Sequence, residues 1–149
     1  TSYAPLLAKE KHTQWSPDLI YFNNREVKPT TGYCVQKLYG QNAGSHYIPS
    51  QIILDNQDNR VKLRIGSSIV RDSKTGDVIV KLVNLLPVSV ETEIQLPGIG
   101  SVQPSAVRTV LAGAPESTPL PVTDTIEVGV NFKQQLPAYS FTVIRLKTK

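Results

Sequence analysis

The chain has 149 residues, of which 40% are hydrophobic and 19% charged, with a formal net charge of +4 and no methionine. That length supports one compact domain with an appendage, and that composition excludes a disordered chain, which needs low hydrophobicity and high net charge. No apolar run approaches the roughly 20 residues of a membrane span, and no membrane role is expected. The basic residues are singletons, the densest group (Lys9, Lys11) being interrupted by Glu10, which argues against the basic stripe of a nucleic-acid binder.

Thr1 to Ala8 (TSYAPLLA) reads as a short strand, apolar on both faces as inside a parallel sheet or barrel, with Pro5 near its end. Lys9 to Lys28 reads as one long connection holding Trp15, Pro17, Asp18 and the run Leu19 to Phe22; connections of that length are usually functional or packed loops. Pro29-Thr30-Thr31 reads as a helix start with a threonine N-cap. Val35, Leu38 and Tyr39 follow at helical spacing, and Gly40 as the residue after the helix. Cys34 rules out an internal disulfide and reads as a packed small hydrophobe. His12 and His46 are the only imidazoles and make no metal site.

From His46 the period becomes two. The expected strands are Tyr47–Leu54, Val61–Val70, Asp77–Leu85, Ser89–Leu96, Ala106–Leu111, Thr125–Phe132 and Ser140–Leu146, separated by turn-rich stretches such as Asp55 to Asn59 and Ser73 to Gly76. The Pro-rich stretch Ala112 to Thr123 reads as a long crossover between two sheets. The fold class is mainly β: an antiparallel β-sandwich of jelly-roll or Greek-key type preceded by a short β/α segment, with domains at 1–44 and 45–149. Seven of the ten aromatics (Tyr3, Trp15, Tyr21, Phe22, Tyr33, Tyr39, Tyr47) lie in the first third, so the two parts are built for different work.

The pieces SYAPLL, WSPDLIYFNN and YCVQKLYG within Thr1–Gln41 resemble the last β/α unit of α-L-arabinofuranosidases of glycoside hydrolase family 51. The stretch Val80 to Asn84 and the closing run Leu136 to Leu146 are similar to the C-terminal β-sandwich of the same enzymes. Gly113–Val122 departs from the Asn-rich loop expected there. The resemblance implies a parent enzyme with a (β/α)₈ barrel. That parent would release terminal α-L-arabinofuranosyl residues, with retention, from arabinan- or arabinoxylan-type hemicellulose. It also implies that both catalytic glutamates lie on strands upstream of Thr1, that the barrel is the partner of this chain, and that the chain is a fragment.

The residues agree in offering no catalytic constellation. A retaining glycosidase needs two carboxylates about 5 Å apart, one kept protonated. Glu91 and Glu93 share a solvated strand face, and Asp55 and Asp58 lie in a polar turn. No catalytic residue, metal site or cofactor is assigned. The candidates for the substrate rim of the intact enzyme are Trp15, Asp18 and Gln14, on the loop that would leave the barrel strand at its active-site end. Tyr33, Leu38 and Tyr39 are candidates for packing between barrel and sandwich.

Two other functions are weighed against this accessory role. A carbohydrate-binding module would present a row of aromatics on one sheet, and a free-standing structural domain would leave the Trp15 loop without purpose. Severed from a barrel, the first third would bare Tyr3, Leu6, Leu7, Ile20 and Phe22. It would then fold back on the sandwich, associate with a second copy into a homo-oligomer, or lie disordered.

Overall fold

A computed structural model describes residues 3–148. The chain divides into two compact units, the first ending at Gln41 and the second beginning at Asn42.

In the first unit, β1 (Leu7–Lys9) pairs in parallel with β2 (Ile20–Phe22), which pairs antiparallel with β3 (Val27–Pro29). The helix α1 (Thr31–Gln41) follows. The strand expected over Thr1 to Ala8 is thus shorter and later; residues 3–6 are not strand, and Thr1 and Ser2 lie outside the described residues. Pro5 explains part of the difference, because an imide nitrogen cannot donate to a ladder. Its carbonyl still accepts from Leu19 N–H at 3.3 Å.

The expected single connection over Lys9 to Lys28 is overturned. The run Leu19 to Phe22 is half a hairpin, closed where Asn23 N–H donates to Glu26 O at 3.0 Å. Asn23 Oδ1 accepts in turn from Arg25 and Glu26 N–H, an Asx turn that a lone Asn-Asn pair only hints at. Thr30 caps α1 weakly, its hydroxyl accepting from Tyr33 N–H at 3.4 Å. The helix buries Cys34 and Leu38 one turn apart and runs through Gly40 to Gln41, so Gly40 lies inside it and not after it.

The second unit is a β-sandwich. A six-stranded sheet has the order β4 (His46–Ile48), β5 (Ile65–Arg71), β6 (Val78–Asn84), β11 (Ser140–Thr148), β8 (Val102–Ala112), β9 (Val122–Glu127). A two-stranded sheet pairs β7 (Val90–Gln95) with β10 (Asn131–Leu136). All pairings in both sheets are antiparallel. One core joins the layers: Val78, Val80 and Leu82 of β6, Ile144 and Leu146 of β11, Ile94 of β7 with the following Leu96, and Leu136 of β10. Each such side chain, taken from water, contributes about 1.5–3 kcal/mol before entropy. The opposite face of β6 and β11 is buried too, at Ile79, Lys81, Phe141 and Val143. A sheet covered on both sides needs that near-continuous apolar run.

Three strand expectations and the expected crossover change. Tyr47–Leu54 shrinks to β4, because Pro49 ends the ladder. The start of Val61–Val70 is the short helix α2 (Asn59–Lys62), capped where Asp58 Oδ1 accepts from Arg60 N–H at 2.8 Å. Thr125–Phe132 joins the end of β9 to the start of β10 across Val128-Gly129-Val130. The stretch Ala112 to Thr123 is no crossover: β8 and β9 are neighbours in one sheet, with Val110 opposite Val122, so its prolines lie in a long hairpin loop. The chain instead changes sheets between β6 and β7, β7 and β8, β9 and β10, and β10 and β11.

Candidate functional site

The first unit carries a concavity of about 440 Å³, lined in part by Lys9, His12, Gln14, Trp15, Asp18 and Phe22. It forms where the chain leaves β1 and returns to β2. The loop is shaped by Thr13, whose hydroxyl accepts from Trp15 N–H at 3.1 Å and donates to Trp15 O at 3.2 Å. Trp15 is left 66% exposed, an unusual cost for the chain's largest side chain. Gln14 is exposed beside it. Asp18 is 0% exposed and sits beneath the surface at the floor. Its N–H donates to Tyr21 Oη at 2.9 Å, while neither carboxylate oxygen has a hydrogen-bond partner among the described residues.

The other carboxylates of this unit are committed elsewhere. Lys28 Nζ reaches Glu10 at 2.8 Å and Glu26 at 3.0 Å, and Asn23 Nδ2 donates to Glu10 Oε2 at 2.8 Å. The bonds from Lys28 first, and from Asn23 second, hold both glutamates below the ordinary carboxylate range. A general acid needs the reverse shift. Neither glutamate is therefore suited to protonate a leaving group. No cluster of three or more metal-type ligands occurs among the described residues.

The structure thus brings the three rim candidates Trp15, Asp18 and Gln14 to one loop, two at the surface and one under it. Sequence reasoning missed Lys9, His12 and Thr13 as neighbours of this concavity. The Thr-x-Trp spacing was a usable sign, since a threonine hydroxyl brackets backbone groups two residues on. Of the packing candidates, Leu38 is buried, Tyr33 half-buried and Tyr39 40% exposed. Of the residues expected to be bared, Tyr3, Leu6 and Leu7 are exposed at 38%, 55% and 56%, and Ile20 and Phe22 are half-buried.

A family model for the α-L-arabinofuranosidase C-terminal domain matches residues 1–140. The chain belongs to this family. The arabinofuranosidase C-terminal domain described here is also similar over 99% of its length to a solved structure titled as an arabinose-bound MgGH51 α-L-arabinofuranosidase. That likeness has 32% sequence identity and a TM-score of 0.85, and covers 24% of the solved chain. An extracellular exo-α-L-arabinofuranosidase of Streptomyces chartreusis is 52% identical over 50 residues, 34% of this chain and 6% of that protein. A probable α-L-arabinofuranosidase A of Aspergillus terreus (strain NIH 2624 / FGSC A1156) is 32% identical over 102 residues, 67% of this chain and 15% of that protein. The domain therefore spans less than a quarter of each of these relatives. An arabinose-complexed α-L-arabinofuranosidase from Thermotoga maritima shares the fold at 14% identity, with a TM-score of 0.70 over 86% of this chain.

Proposed function

We propose that this chain is the non-catalytic C-terminal part of a retaining α-L-arabinofuranosidase. Its first unit is the last β/α unit of a (β/α)₈ barrel, and its second is an accessory sandwich that packs on the barrel and stabilises it. The observation that carries this reading is an incomplete site. A concave loop offers an exposed tryptophan and a glutamine, suited to a sugar face and its hydroxyls, while Lys28 holds the two glutamates of this unit below the ordinary carboxylate range, the reverse of what a general acid needs. Such a wall needs a nucleophile and an acid from elsewhere, and the barrel of the parent enzyme supplies them.

In that enzyme Trp15 and Gln14 line the substrate rim, and Asp18 supports it from below. Tyr3, Leu6 and Leu7 are the surface that further barrel elements cover. The sandwich suits a supporting role because its central strands are apolar on both faces. A sugar-capturing module is disfavoured: Tyr47 is the exposed aromatic of the second unit, Phe132 and Tyr139 are half-buried, and Phe141 is buried. One exposed ring makes no planar row.

The test is kinetic. The intact enzyme should hydrolyse an aryl α-L-arabinofuranoside, and Trp15→Ala in it should reduce kcat/KM by about tenfold or more. An intact enzyme indifferent to that change would remove Trp15 from the rim.

A further inference from the structure

The charge that the concavity of the first unit offers to a ligand has one sign. Lys9 and His12 line it and are exposed, and neither their side chains nor that of Gln14 bond to any described residue. The carboxylates of this unit are withheld. Glu10 follows Lys9 in the chain, yet its oxygens are turned to Lys28 at 2.8 Å and to Asn23 at 2.8 Å. Glu26 shares Lys28 at 3.0 Å. Asp18 lies beneath the floor at 0% exposure; its charge opposes an anion from below, but its oxygens are sealed from any ligand. A ligand therefore meets an ammonium group, an imidazole, an amide and the exposed face of Trp15.

The turn that presents two of these groups is strained. His12 N–H donates to Lys9 O at 3.0 Å, closing a four-residue turn, and its third residue, Lys11, has a φ of 63°. Turns with that residue left-handed favour glycine or asparagine. A lysine there costs energy, and such strain gathers where it positions functional groups. The residues at the two ends of this turn, Lys9 and His12, both line the concavity.

We propose that this turn is a subsite for the leaving part of the substrate and that it selects a carboxylate-bearing sugar, a hexuronosyl unit. Lys9 Nζ supplies the counter-charge, His12 donates a hydrogen bond, and Trp15 packs on the ring face. This rests on the functional reading above. The arabinofuranosyl unit that the enzyme releases is neutral, so the carboxylate stands on the chain that it leaves. An ammonium–carboxylate pair at an exposed site is a modest attraction, so the subsite sets a preference between substrates and not an absolute requirement.

The experiment gives the intact enzyme two forms of one arabinose-bearing oligosaccharide: one with a hexuronosyl unit on its backbone, and the same oligosaccharide after reduction of that carboxyl to a neutral hexose. At low salt, kcat/KM should favour the acidic form by about threefold or more, and added salt should bring the ratio toward one. Lys9→Glu should reverse the preference. Lys37→Glu, the same charge change at an exposed position on α1, should leave the ratio as it is. A wild-type ratio at or below one would overturn the proposal, as would a preference that Lys9→Glu does not alter or that Lys37→Glu abolishes equally. Where Lys9→Glu does not accumulate folded, Lys9→Gln decides: a ratio falling toward one supports the subsite, and the wild-type ratio overturns it. Failure of the intact enzyme to cleave either form would defeat the functional reading alone. Calorimetric binding of the same two oligosaccharides would then decide, tighter binding of the acidic form supporting the subsite and equal binding overturning it.

Discussion

Arg145 and Asp77, 68 residues apart in the chain, meet in an ion pair of 2.9 Å that ties the last strand to the start of β6. Arg145 also donates to Asn42 Oδ1 at 3.3 Å and lies 3.7 Å from Asp72. The pair is sheltered, with side-chain exposures of 28% for Arg145 and 11% for Asp77. Removing the cation strands a buried carboxylate. Arg145→Leu should therefore cost about 1–3 kcal/mol in urea unfolding of the second unit, and Asp77→Asn should cost less than Arg145→Leu. Equal melting of both variants and the parent chain would show that the pair contributes nothing.

Asn84 is a second clasp, and a fully buried one. Its Nδ2 lies 2.9 Å from Val88 O, 2.8 Å from Pro137 O and 3.3 Å from Leu136 O, while Oδ1 accepts from Leu86 N–H at 3.0 Å. One amide thus joins the turn after β6 to the turn before β11. Asn84→Asp keeps the shape but turns a donor into an acceptor facing three carbonyls. Its expected cost is about 2–4 kcal/mol, read as a lower urea midpoint. Asn84→Leu should lose a similar amount, because it leaves those carbonyls and the Leu86 N–H unpaired.

The pH dependence of stability has a defined sign. Glu10 and Glu26 are held low chiefly by Lys28, Asp58 by Arg60, Asp72 by the Lys74 backbone N–H, and Asp124 by Arg108. A carboxyl whose folded pKa lies below its unfolded value adds stability that is full above the unfolded value and lost as pH falls through the folded one. Melting temperature should stay level from neutral pH to about 5 and fall steadily below about 4. A maximum near pH 4 would contradict these assignments. Because these pairs are largely exposed, added salt should shrink the acid-side slope.

The sandwich was readable in the sequence wherever one physical signal dominated. In β7, Val90, Thr92, Ile94 and then Leu96 alternate with exposed Glu91, Glu93 and Gln95, so period two survives intact. In β6 and β11 both faces are buried, and the β-branched run alone marks the strand. The signal failed where apolar residues continue through a turn, as at Val128-Gly129-Val130. It failed again where a side-chain cap outweighed apolar content, as Asp58 does at Val61. Connection order was also hidden: prolines in 113–121 forbid a regular strand, but do not tell a hairpin loop from a change of sheet. The site was legible as a loop and as residue types, because aromatics and amides crowd between Lys9 and Lys28. The burial of Asp18 was not, since it depends on how β1 and β2 close around the loop.

Trp15 separates stability from function. With 66% of its surface exposed and a loop shaped by backbone and Thr13 bonds, Trp15→Ala should change the stability of this chain by no more than about 0.5 kcal/mol. The same substitution is expected to lower kcat/KM of the intact enzyme. Thr13→Val should act in the same direction through the loop, with both thermal melts close to the parent. A large loss of stability in Trp15→Ala would mean that the ring packs as a structural element and does not serve a rim.

The most direct measurement compares this 149-residue chain with the intact enzyme in the hydrolysis of an aryl α-L-arabinofuranoside. The account predicts turnover by the intact enzyme and none by the purified chain at any pH. In the proposed reading the acid and the nucleophile come from the barrel, and Lys28 holds the first unit's two glutamates below the ordinary carboxylate range, the reverse of the shift a general acid needs. Turnover by the chain alone that follows its own mass through purification, and is abolished by a substitution within it, would contradict the account.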